Sequence, residues 1–237
     1  MSDKIMPILA EITGGKSYKA HKYGLDHADR PVIDYGEDSI VWKKIAETNR
    51  TNRKYIPLED LSKKLSVRKE QLLTYFLDGS RRVFKVDDIA YTKSGGRSVI
   101  YPVIAGQIGV GCCKRKNKRM ILEKFKREFV LSIPDIANAD GKAGFFPATV
   151  HKLNESSELK RLAIEISAII PYRTAKNGEK RFEDLGTACI QDRMVQREKE
   201  LVAELVREGK LNPNNYLVKD GSLEYRPTKE DDYSGTL

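Results

Sequence analysis

Along residues 74–110 the apolar positions fall in short β-branched and aromatic runs. Thr74-Tyr75-Phe76-Leu77, Val83-Phe84-Lys85-Val86 and Ile89-Ala90-Tyr91 are followed by a longer run from Ser98 to Val110. Such compositions fit a pleated, half-buried surface. Gly79-Ser80 and Ser94-Gly95-Gly96 punctuate the runs, so the pattern predicts a three-stranded antiparallel meander. Pro102 marks an edge or a break in the last strand, because proline cannot donate to a ladder. Beyond it the period lengthens. Ile121, Phe125 and Phe129 recur at helical spacing and predict a helix over residues 120–129, while residues 159–170 predict a helix and then a strand ending at Pro171. A polar turn at Asn177-Gly178 precedes a long helix over residues 187–208, stopped by Gly209, and a strand over residues 216–220.

The first 70 residues carry a different pattern. Pro7, Gly14, Gly15, Gly24, Pro31 and Gly36 break up residues 1–38, which read as an irregular or partly extended lead-in. Ile40, Val41 and Ile45, then Leu58, Leu61 and Leu65 after Pro57, predict short helices, and Ser66 caps another that runs to Leu72. The expected division is therefore a lead-in and helical segment over 1–70 and an α/β core over 71–237. Gly14-Gly15-Lys16-Ser17 resembles the end of a phosphate-binding loop, but Ala10 stands where that motif needs its first glycine and no strong strand precedes it. ATP binding is not expected there.

Composition narrows the class. With 40% hydrophobic and 32% charged residues the chain has the makings of a folded globular protein. Its 43 Lys and Arg against 34 Asp and Glu give a formal charge of +9, which suits a polyanionic partner such as nucleic acid. Neither a membrane-length apolar run nor a signal peptide is evident, so a cytoplasmic protein without a membrane partner is expected. Cys112, Cys113 and Cys189 form no even framework and no CxxC pair, and are expected to be reduced packing residues. The basic stretch from Lys114 to Lys118 fits a phosphate contact or a solvated loop equally well.

The chemistry centres on two Asp-Gly-Ser triplets, Asp78-Gly79-Ser80 and Asp220-Gly221-Ser222, each expected at the end of an apolar strand. There the aspartate projects its carboxylate, and the glycine permits close approach of backbone and ligand. Alternation puts Phe76 with Asp78, and Val218 with Asp220, on common faces. Between the triplets lies the long helix, on which Glu198 falls about 40° from Met194, inside the stripe formed by Ile190, Leu201 and Leu205. A carboxylate at a buried position is costly unless it is paired or bound to a metal. Hard cations such as Mg2+ and Mn2+ favour carboxylate oxygens, and phosphodiester hydrolysis uses them. Asp78, Glu198 and Asp220 are therefore the candidate catalytic and metal-binding residues. A salt bridge to a buried arginine is the structural alternative for Glu198, and Glu200 and Glu204 are the fallback ligands. Arg81, Arg82 and Arg197 flank the carboxylates as candidate nucleic-acid contacts. His21, His27 and His151 are expected to be surface or packing residues.

Three motifs in order, Phe76-Leu77-Asp78-Gly79-Ser80-Arg81, Met194-Val195-Gln196-Arg197-Glu198 and Leu217-Val218-Lys219-Asp220-Gly221-Ser222-Leu223, resemble the NurA nuclease family over roughly residues 70–225. The resemblance implies an RNase H-like fold, with a mixed sheet and flanking helices. It also implies a manganese- or magnesium-dependent nuclease acting on DNA ends or single strands, a homodimer, and a HerA-type hexameric translocating ATPase as partner. Because the family continues well past its second Asp-Gly-Ser, a short or split relative lacking the C-terminal part is expected. The alternative is a non-catalytic DNA- or ATPase-binding subunit with an incomplete metal site. A third option is another RNase H-like enzyme, a resolvase or an Argonaute-type slicer, with Asp87, Asp88 and Asp184 as further acidic residues to inspect.

Overall fold

The structure, a computed structural model, describes residues 4–26, 72–92, 96–117, 119–174 and 181–219. Its centre is a long antiparallel hairpin pair. Strand β3 (Leu73–Thr92) pairs with β4 (Ser98–Lys116), which pairs with β5 (Arg119–Pro134). The short runs separated by Gly79-Ser80 therefore belong to one 20-residue strand, roughly 65 Å long if fully extended. Asp78-Gly79-Ser80 lies within that strand and not at its end, paired with Gly111, Val110 and Gly109 of β4.

The helix expected over residues 120–129 is instead part of β5. Its i, i+4 apolar positions also satisfy a two-residue alternation. Glu128, Val130 and Ser132 are buried, while Phe125 and Arg127 are exposed. The β4–β5 ladder closes at Lys116↔Arg119, with Asn117 in the left-handed region at φ 51. The basic stretch is thus a hairpin tip, and asparagine tolerates the backbone that a tight turn demands. Pro102 fits its predicted edge role. The β4–β5 pairing begins only at Ile104, so β4 has a strand neighbour on one side at the proline, whose carbonyl accepts a hydrogen bond from the Tyr172 hydroxyl at 2.8 Å.

The rest of the sheet assembles around this hairpin pair. Helix α1 (Ile5–Thr13) leads into β1 (Lys16–Tyr18) and β2 (Tyr23–Gly24), both antiparallel to β3. The described part of the lead-in therefore belongs to the same sheet. Gly14-Gly15-Lys16-Ser17 follows a helix and opens a strand, the reverse of a phosphate-binding loop. The helices expected over residues 39–72 lie, but for Leu72, outside the described residues. After β5 a 3-10 turn leads to α2 (Phe145–Asn154), α3 (Ser157–Leu162) and β6 (Ile166–Tyr172), parallel to β5, which is the helix-then-strand order expected. The long helix α4 (Phe182–Arg207) begins five residues earlier than expected and ends at Gly209, whose φ is 67. Strand β7 (Tyr216–Lys219) then pairs parallel to β3.

Two cores form on opposite faces of the sheet. One lies under α4, where Ile190, Met194, Leu201 and Leu205 meet Tyr75, Leu77, Val83, Ile104, Ile108 and Val110. The other lies under α1, α2 and α3, where Leu9, Leu153 and Leu159 meet Ile89, Tyr101, Val103 and Ile133. A register shift between Lys85 and Asp87 lets β3 serve both. A bulge adds one residue and changes which face the following odd positions present. Tyr75, Leu77 and Val83 thus point to one core, and Ile89 and Tyr91 to the other.

One buried ion cluster ties β5 to α4. Glu128 accepts from Arg193 Nε at 3.0 Å and from Arg197 Nη2, and Arg197 also holds Glu200. Burial pushes the Glu128 carboxyl up, but hydrogen bonds from Arg197 and Arg193 outweigh this and leave it below its ordinary value of 4.5. Replacing Glu128 with glutamine should cost about 3 kcal/mol near neutral pH, because two cations lose their shared partner. A lowered carboxylate pKa contributes stability that is complete above the unfolded value and is lost as pH falls through the folded one. The gap in urea midpoint between wild type and Glu128→Gln should therefore hold at neutral pH and narrow below the ordinary value of 4.5.

Candidate metal centre

One edge of β3 is occupied by β4 from Tyr75 to Thr92. The other is shared by β7 at residues 73–77, by β2 at 84–85 and by β1 at 88–90. Among the described residues no strand pairs with that edge over residues 78–82. The notch is closed at its far end by Asp26, whose Oδ2 accepts from Val83 N at 2.7 Å and whose Oδ1 accepts from Arg81 Nη1 at 2.6 Å. Arg81 Nε also donates to Gln191 of α4. The near end is the β3–β7 pairing, described as far as Leu77↔Lys219, one residue before Asp78 in β3. Asp220 itself lies outside the described residues.

Glu198 enters the notch from α4. It is 4% exposed, as its helical phase predicts. Its carboxylate rests on Gly79: a Cβ at that glycine would collide with Glu198 Oε1 and lie 3.1 Å from Cδ. Only a glycine in β3 leaves that room. Glu198 Oε2 stands 2.9 Å from Lys219 Nζ, with both side chains nearly buried. The same oxygen is fully buried and makes no hydrogen bond. The two observations agree if the groups meet at an angle outside hydrogen-bond range. We take the pair as a charge contact, because Coulomb attraction depends on separation more than on angle. The buried glutamate thus has a basic partner, but a lysine from β7 and not an arginine.

Asp78 is exposed on the other pleat. The β3–β4 register runs without interruption from Tyr75 to Lys85, so residues 75, 77, 79, 81 and 83 face α4 while 76, 78, 80, 82 and 84 face away. Contacts bear this out. Gly79 meets Glu198, whereas Gly109, opposite Ser80, meets Ser80 Oγ and the Phe125 ring. Asp78 and Glu198 therefore flank the same notch from opposite faces, offset by one residue along β3. Among the described residues no group of three His, Cys, Asp or Glu side chains is close enough to hold a metal ion.

The remaining candidates are placed as follows. Arg81 and Arg197 are engaged within the chain, by Asp26 and Gln191 and by Glu128 and Glu200. Arg82 is exposed on the face with Asp78. Glu200 pairs with Arg197, and Glu204 with Lys124 and Lys126, away from the notch. Asp87 is buried and accepts from Ala20 N, Asp88 pairs with Lys85, and Asp184 is exposed in the first turn of α4. His21 stacks on Tyr23 at the surface and His151 is exposed on α2, while His27 lies outside the described residues. Cys112 is buried in the core, and burial pushes its thiol up to about 11. Sequence reasoning missed Lys219. Its signal was available: a lysine beside the second Asp-Gly-Ser, on a strand that packs under the helix bearing a core-facing glutamate.

No protein-family model, curated protein or solved structure matches the chain. Fold and site together define a mixed α/β protein, its mixed sheet flanked by helices, in which no described strand pairs with one edge of β3 over residues 78–82. No described helix is long and apolar enough to cross a membrane.

Replacing Lys219 with methionine strands the Glu198 carboxylate and should lower stability by about 3 kcal/mol or more. Adding Glu198→Gln should recover most of that loss, because the second change removes the uncompensated charge. A double-mutant cycle by urea unfolding checks this, and strictly additive effects would show that the two side chains do not interact.

Proposed function

We propose that the chain is a metal-dependent deoxyribonuclease with an RNase H-like core, acting on DNA ends or single strands. The observation that carries this reading is the meeting of β3, α4 and β7, the three motif-bearing elements, at one notch. Strand, meander, helix with an inward glutamate and returning strand is also the order on which the resemblance to the NurA family rests. The β6 strand and its two helices are then an addition between meander and helix. That resemblance extends the proposal to a second copy of the chain and a HerA-type hexameric ATPase as partners.

The donor set suits Mn2+ or Mg2+. Glu198 Oε2 is a buried acceptor without a hydrogen bond, and Gly79 leaves its carboxylate room at the strand backbone. Asp78, Glu198 and Asp220 would hold the ion, which when bound supplies hydroxide and neutralises charge on the leaving oxygen. The chain's own residues do the positioning. Lys219 keeps the Glu198 carboxylate compensated, Arg81 braces β3 against α4 through Gln191, and Arg82 is available to a phosphate on the Asp78 face.

A second reading, a non-catalytic DNA- or ATPase-binding subunit, is favoured by two particular features. Lys219 already compensates Glu198, and the pleat turns Asp78 away from it. End-labelled linear and single-stranded DNA incubated with Mn2+ or Mg2+ separates the two. The nuclease should cleave, and Asp78→Asn, Glu198→Gln and Asp220→Asn should each reduce the rate by more than the roughly 100-fold typical of an outer-shell loss. Binding without cleavage, or equal cleavage by wild type and all three variants, would leave the subunit reading standing.

A further inference from the structure

The sheet face that carries Asp78 is left uncovered by the described helices along part of its length. Around Ile89, Tyr101 and Val103 it is buried under α1, α2 and α3. Toward the β4–β5 tip no described element covers it, and the paired rows can be read from the register. Across β3, β4 and β5 they are Arg82, Gln107 and Phe129, then Ser80, Gly109 and Arg127, then Asp78, Gly111 and Phe125. Two more rows, Cys113 with Leu122 and Arg115 with Met120, complete the hairpin.

From these rows we infer that this face is a track for a single-stranded nucleic acid, with bases stacking on Phe125 and phosphates held by Arg82, Arg115 and Arg127. Three features carry the inference. The floor is flat, because Gly109 and Gly111 have no side chains and the Phe125 ring runs beside both, 3.7 Å from where a Cβ would stand on each. The ring is 57% exposed and stands with the exposed Leu122 and Met120 on the same face, an apolar strip open among the described residues. Every base has a π-face, so such a ring holds single strands with little regard to sequence. Charge points the same way, with three exposed arginines against Asp78 as the acid in these rows. Arg127 also lies 5.6 Å over the Phe129 ring, in the next row along β5.

The track from Gln107 to Arg115 spans roughly 26 Å of strand. That is room for about four nucleotides, the lower end of the site sizes known for single-strand grooves. A second copy of the chain fits less well. A two-fold contact through this face would set one net-positive surface against an identical one, and like net charges oppose such pairing. The occupant also explains the pleat. Asp78 faces the track, so a strand lying there would pass directly over that carboxylate, a consequence that rests on the nuclease reading.

Fluorescence anisotropy with a labelled oligothymidylate and the full chain, in EDTA so that no cleavage occurs, tests the track. Wild type should bind, and Phe125→Ala should weaken binding about tenfold or more while Phe125→Trp preserves it. Arg127→Gln and Arg115→Gln should each reduce the slope of log affinity against log salt by about 0.7. Unchanged affinity in Phe125→Ala, or no binding by wild type, would overturn the inference. So would sedimentation showing that Phe125→Ala dissolves a dimer while binding per chain is unaltered. The outcome is separable from the nuclease assay. Phe125-dependent binding without cleavage sinks the nuclease and keeps the track, whereas metal-dependent cleavage with Phe125-independent binding does the reverse.

Discussion

Everything in this fold depends on β3 being one unbroken strand with buried side chains on both faces. A strand of this length cannot bury all of its side chains under a single helix. The α4 core covers one face from Tyr75 to Val83, and the α1–α3 core covers the other from Ile89 to Tyr91. The bulge between Lys85 and Asp87 reconciles the two, because it moves the odd-numbered side chains across the sheet without ending the hydrogen-bonded ladder. One consequence reaches the site. With the two cores offset along the strand, the stretch from Asp78 to Arg82 has α4 on one side, no described helix on the other, and no described strand on one edge.

The two buried glutamates show what that gap does. Glu128 and Glu198 both sit between sheet and α4, and both would be costly to bury unpaired. Glu128 is satisfied by two arginines, its carboxylate held below the ordinary range, and its work is to clamp β5 to the helix. Among the described residues Glu198 has one ammonium partner, an oxygen without a hydrogen bond, and a glycine backbone in place of a side chain against it. A structural ion pair tends toward saturation of its acceptors, as around Glu128. Glu198 is instead held by charge against the Lys219 ammonium, which ties α4 to β7 as Glu128 ties it to β5.

Much of this was legible in the sequence, and the failures have physical causes. The α4 helix and the inward phase of Glu198 could be read because a 3.6-residue stripe running from Ile190 to Leu205 has few competing explanations. Residues 120–129 could not, because Ile121, Phe125 and Phe129 at four-residue spacing satisfy a strand's alternation as well as a helix's turn. The hairpin tip that would have decided it carries Asn117-Lys118, a weaker turn signal than Asn-Gly. Gly79 reads as a strand end in sequence, where glycine usually marks a turn. In the structure it is interior, and its reason is the carboxylate packed on it. Lys219 was overlooked because an ion pair between the last turns of a helix and a short parallel strand has no sequence periodicity to announce it.

The placement of Asp78 opposite Glu198 looks at first like an argument against a shared site. It is weaker than it looks, because the pleat constrains a side chain's starting direction and not its reach around an open edge. Where a strand is paired on both edges, two carboxylates on opposite pleats are separated by a continuous hydrogen-bonded layer. At residues 78–82 the described layer ends at the edge of β3, and both side chains start beside that edge. What decides the matter physically is therefore the notch more than the pleat.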